Sequence, residues 1–175
     1  MIVYSSDIDL HTHETALQLA LGLERKFPKN NSPLAYGTRL CEEIGELVEA
    51  TEMLENSRTA KTQEHFIKEV KDVLQIVFGV LHCYEILPRS VPEMAAPSTN
   101  VVVLAGQFAN AINHAEGQGV KAAKHGEAWS GRLIESAAQL VAALDAMLER
   151  FDTQADFQAL LASDYTYMKT RGYIQ

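Results

Sequence analysis

Apolar residues recur at helical spacing along most of the chain, and no segment sustains the alternation expected of a strand. The first such run, Thr12 to Phe27, carries Leu17, Ala20, Leu21 and Phe27. "PKNNSP" breaks it, and Ser32-Pro33 is a start signal, because serine caps free amides and proline is tolerated in the first turn. A second helix is predicted over Pro33 to Glu55. After the polar turn "NSRTAKT", Thr62 is expected to cap a third helix over Gln63 to Ile86, which Leu87-Pro88 ends. A connector with three prolines follows, and further helices are predicted over Asn100–His114 and Trp129–Phe151 and from Thr153 to near Arg171-Gly172. "EGQGVKAAKHGEA", before the fifth helix, reads as loosely structured. The fold class is therefore all-α, an antiparallel helical bundle. We divide it into residues 1–87, a connector at 88–99, and additional helices over 100–175.

The second half echoes the first. "RLCEEIGELVEATEML" from Arg39 can be laid on "RLIESAAQLVAALDAML" from Arg132, matching Leu40 with Leu133, Glu42 with Glu135, and Leu47-Val48 with Leu140-Val141. Glu43 then faces Ser136 and Glu46 faces Gln139. Two readings are open: a leucine pattern shared by chance between amphipathic helices, or a tandem repeat whose second copy has lost its acids and completes the bundle. On the second reading the stripe Leu133, Leu140, Val141, Leu144 and Leu148 is buried within the same chain.

Composition narrows the function. The 175 residues suffice for one compact domain. Fifteen Lys and Arg against 23 Asp and Glu give a net charge of −8, which argues against a broad nucleic-acid-binding surface. Two cysteines, Cys41 and Cys83, without a C-x-x-C suggest packed thiols in a reduced compartment. The N-terminus shows no signal-peptide pattern, and "VLQIVFGVLHCY" is too short to span a bilayer. A soluble, cytoplasmic protein without a membrane partner is expected.

The candidate chemistry lies in two acidic pairs. Glu43 and Glu46 stand three apart among Ile44, Leu47 and Val48, and Glu69 and Asp72 stand three apart among Val70, Val73 and Leu74. Such spacing puts each pair on one helix face, and the short turn between the helices makes them antiparallel neighbours. Four carboxylates converging in a partly buried space repel unless their pKa values rise or a cation joins them. Oxygen ligands without His or Cys select Mg²⁺ or Mn²⁺ over Zn²⁺. A di-iron bundle needs Glu-x-x-His, which is absent from the sequence. The plain alternative is a solvated acidic face with Lys68 and Lys71 as salt-bridge partners. Two such pairs on adjacent helices, each embedded in apolar sequence, weigh against it.

"EEIGE" followed by "EVKD" resembles the E-E-x-x-E … E-x-x-D signature of the all-α nucleoside triphosphate pyrophosphohydrolases. These are the MazG-like enzymes, with the dimeric dUTPases and phosphoribosyl-ATP pyrophosphohydrolases as relatives. The resemblance covers roughly residues 12–87. It implies that Glu43, Glu46, Glu69 and Asp72 hold Mg²⁺ (or Mn²⁺), and that Glu42 serves a further metal or orients the attacking water. It implies a nucleotide substrate cleaved between the α- and β-phosphates to a monophosphate and pyrophosphate, in a house-cleaning role. It further implies a homodimer, or an intrachain pseudo-dimer if the second half is a degenerate repeat. "YTYMKTRGYIQ" is similar to the basic last helix of many members, which makes Lys169 and Arg171 candidate phosphate ligands. Gln75, three after Asp72, and Gln18 are candidate readers of base or ribose. The alternatives are a non-catalytic helical protein that keeps the fold for nucleotide or partner binding, and a phosphoribosyl-ATP pyrophosphohydrolase-like enzyme.

Overall fold

The computed structural model describes residues 10–28, 31–118 and 129–174. Among these are six α-helices and no strand. They are α1 (Leu10–Lys26), α2 (Pro33–Asn56), α3 (Ala60–Cys83), α4 (Val101–Ala115), α5 (Trp129–Phe151) and α6 (Gln154–Thr170), with a 3₁₀ turn at Pro88–Ser90. No helix among the described residues is long and apolar enough to cross a membrane. Most of "EGQGVKAAKHGEA" lies outside the described residues.

The helix starts follow local chemistry. Ser32 caps α2 by accepting from the Ala35 amide, with Pro33 in the first turn. Asn100 caps α4 by accepting from the Val102 amide. The expected cap of α3 shifts by one turn. Thr59 takes that role, and Thr62 answers from the third helical position in a reciprocal capping box. Both ends of α3 therefore fall earlier than the apolar pattern suggests.

α3 is the axis of the bundle. It packs against α2 across the turn at residues 57–59, and against α1, α5 and α6. Residues 73–81 are buried without interruption, which explains why this run carries no amphipathic stripe. α4 packs on α5 and on α2, so helices on both sides of the proline connector share one core. Phe66 meets Phe151 edge to face at 5.0 Å, and His13 lies 4.9 Å from Phe78. At Gly79 the backbone approaches Tyr36 so closely that a Cβ would stand 2.5 Å from the ring.

Leu133, Leu140, Val141, Leu144 and Leu148 are all buried within the chain, as the stripe on α5 requires. Ser136 is buried as well, its hydroxyl donating to the carbonyls of Arg132 and Leu133. Gln139 is half-buried, and with Ser136 and Glu135 it lines a cleft between α4 and α5.

Candidate metal centre

The α2–α3 hairpin brings together acids that are far apart in sequence. Glu43 and Asp72 lie at nearly equal distances from the turn, so antiparallel packing sets them opposite each other. Glu69 follows one turn along α3 on the same face as Asp72. One carboxylate oxygen from each of Glu43, Glu69 and Asp72 lies within 4.8 Å of the other two. That compact group is all-oxygen and spans two helices.

Glu69 is the innermost member, with 2% of its surface exposed. Its Oε1 receives Lys68 Nζ at 2.7 Å and faces His65 Nε2 at 3.3 Å. Its Oε2 is buried and has no hydrogen-bond partner among the described residues. A buried carboxylate oxygen without a donor is unfavourable. It is also what a hard cation would occupy, so the donor set and its orphaned oxygen fit a divalent ion.

The acids do have cationic neighbours, contrary to the picture of carboxylates held together by a metal alone. Lys68 bridges Glu69 and Asp72, lying 3.0 Å from Asp72 Oδ2. Lys71 stands 3.7 Å from Asp72 Oδ1, but its shorter contact, 2.6 Å, is to Asp164 on α6. Arg39 is 3.8 Å from Glu43. Burial works to lower the pKa of Lys68, but hydrogen bonds to Glu69 and Asp72 outweigh it and hold the ammonium above its ordinary range. Lys68 is half-exposed, so it can swing away from the acids without disturbing the core.

Glu43 carries the electrostatic cost of the cluster. Burial, then the Asp72 charge and those of Glu46 and Glu69, push its carboxyl up to about 7, while Arg39 pulls the other way. At neutral pH this group therefore changes charge readily, whereas an ordinary glutamate is fully ionised.

The remaining sequence candidates scatter around this centre. Glu46 and Glu42 are exposed and lie outside the close group. A step of three residues turns a side chain by about 60° around the helix. With Glu43 in the seam, Glu46 is carried toward solvent. Gln75 is buried one turn beyond Asp72 and lines a cleft with it. Gln18 is half-buried on α1 and does not line that cleft. Lys169 and Arg171 are exposed near the end of α6, over the rings of Tyr165 and Tyr167 respectively. Asp164 had no signal in the sequence, because it meets Lys71 across 93 positions.

No family model matches the chain, and no curated protein and no solved structure matches it.

Proposed function

We propose that the chain is a divalent-cation-dependent nucleotide pyrophosphohydrolase, which cleaves a (deoxy)nucleoside triphosphate between the α- and β-phosphates. The observation that carries this reading is the unpartnered, buried Oε2 of Glu69 beside Glu43 and Asp72. The E-E-x-x-E … E-x-x-D resemblance supports it independently. Glu43, Glu69 and Asp72 would hold Mg²⁺ or Mn²⁺. When bound, the ion supplies charge neutralisation for the triphosphate and a more acidic water.

The chain's own groups supply the rest. Lys68 is half-exposed, and once a bound cation took its place among the carboxylates its ammonium could turn to a phosphate oxygen. Arg39, half-exposed beside Glu43, offers a second donor to the leaving pyrophosphate. Glu42 and Glu46, exposed on the same helix, are the acids left to orient water and accept its proton. The buried stripe of α5 supports a working unit that is a single chain, the second half covering what a partner subunit would cover.

A second reading is favoured by the lysine contacts. With Lys68 at 2.7 and 3.0 Å from two of the acids, the cluster could be a metal-free ion-pair network in a binding protein. A screen of (d)NTPs and phosphoribosyl-ATP with Mg²⁺ or Mn²⁺ separates the two, reading pyrophosphate and monophosphate together. Hydrolysis that disappears in a folded Asp72→Asn supports the enzyme. Absence of product from every substrate ends that reading in favour of the ion-pair network.

A further inference from the structure

A cleft of about 190 Å³ opens between α1, α3 and α6. Leu19 and Leu23 of α1 and Met168 of α6 give it apolar walls, and Asp72 stands at its edge. It therefore adjoins the carboxylate cluster through a shared residue. Within it lies Gln75, one turn beyond Asp72 on the same face of α3. Gln75 is 5% exposed, and its carboxamide makes no hydrogen bond to any described residue. Its polar atoms are not sealed in the core but border the cleft, where an amide without a protein partner is placed to meet a ligand's polar edge.

We propose that this cleft takes the base of a nucleotide whose phosphates lie at the carboxylate cluster, and that Gln75 reads the edge of that base. The placement of the phosphates rests on the pyrophosphohydrolase reading, whereas the base site stands on the cleft alone. A carboxamide donates through its N–H and accepts through its oxygen side by side. It is matched by a heterocycle carrying an acceptor and a donor on adjacent atoms, as nucleobases do. The volume is small beside the roughly 300–1,000 Å³ of pockets for drug-sized ligands, so it suits one planar ring system with the sugar outside. Leu19 and Leu23 offer contact to one part of the ring, and the Met168 thioether packs favourably on aromatic faces. Tyr167 also lines the cleft and is half-exposed, placed where its ring can cover an occupant. Lys71 and Asp164, paired at 2.6 Å, join α3 to α6 and act as positioning residues for that wall.

The test separates the base from the phosphates. The metal-free protein is titrated with each of the four common deoxynucleosides, following the Gln75 side-chain amide and the Met168 methyl by NMR. At least one nucleoside should shift both signals saturably, and Gln75→Leu should remove the response. If the enzyme turns over, the same variant should raise KM for the preferred nucleotide roughly tenfold, with a smaller change in kcat, and flatten the preference among bases. Nucleoside binding without hydrolysis would sustain the cleft assignment and sink the catalytic reading. Hydrolysis with no nucleoside response at Gln75 or Met168 would do the reverse. The wild-type titration is decisive by itself, so a Gln75→Leu that fails to fold does not remove the test.

Discussion

Replacing Glu43 by Gln should stabilise the metal-free protein at neutral pH and do much less near pH 5. In the folded chain the Glu43 carboxyl is raised from 4.5 to about 7, chiefly by burial and then by Asp72. Between those two values the unfolded chain has released this proton while the folded chain still holds it. The folded state binds more protons there, so stability falls as pH rises through the window and levels off above it. The shift corresponds to roughly 3 kcal/mol at full weight, and solvent reaching the half-buried site reduces this to about 1–2 kcal/mol. Gln has nearly the same shape and no charge, so the variant lacks the slope. Urea denaturation in chelator from pH 5 to 8 measures both proteins. The gain in the variant should grow from a few tenths to about 1–2 kcal/mol, several degrees in Tm for a chain of this size. A difference that stays constant across the range would refute the reasoning, because it would mean that Glu43 titrates as an ordinary carboxyl.

Chelator-treated protein should gain thermal stability on adding Mg²⁺ or Mn²⁺, about 2.7 kcal/mol at a hundredfold excess over Kd. Glu69→Gln should lose most of that gain; a shift that survives this change would place the ion elsewhere. Gly79→Ala should cost about 1–3 kcal/mol in denaturation. The new Cβ would lie 2.5 Å from the ring of Tyr36, which is 3% exposed and tied to Glu24 by a 2.6 Å hydrogen bond. An unchanged midpoint would show that the ring has room to retreat.

Much of the fold was legible because its helices are set by patterns the sequence displays. The limits of α5 coincide with the expected Trp129 and Phe151, and Ser32-Pro33 opens α2 as its chemistry suggests. The end of α3 was not legible. It was expected at Ile86, before proline, and the helix stops at Cys83. There Glu85 turns into the left-handed region with φ of 58°, its amide donates to the His82 carbonyl, and that of Ile86 donates to Leu81. Asp152 closes α5 in the same way, with φ of 55° and matching bonds to Glu149 and Leu148. Glycine normally marks such a position, as Gly117 and Gly172 do here. An acidic residue in its place leaves no signal to read.

The candidate site divides along the same line. Helical spacing states which acids share a face of one helix, but the fold decides which of them enters the seam between two. Glu43 and Glu46 are equivalent as a spacing, yet the first lies in the seam and the second in solvent. Spacing also exposes local counter-charges: Lys68 and Asp72 are four apart, and they do pair. It gives no hint of Asp164, which holds the ammonium of Lys71 at 2.6 Å while Asp72 lies 3.7 Å from the same nitrogen. The consequence is chemical. With Lys71 held mainly by α6, the closest cation to the three clustered carboxylates is Lys68, with His65 beside Glu69 and Arg39 at 3.8 Å from Glu43. Lys68 reaches only Oε1 of Glu69, leaving Oε2 enclosed and unpaired. The triad could hold a small divalent ion there, which would place two charges among the oxygens at once and would need no fixed donor direction.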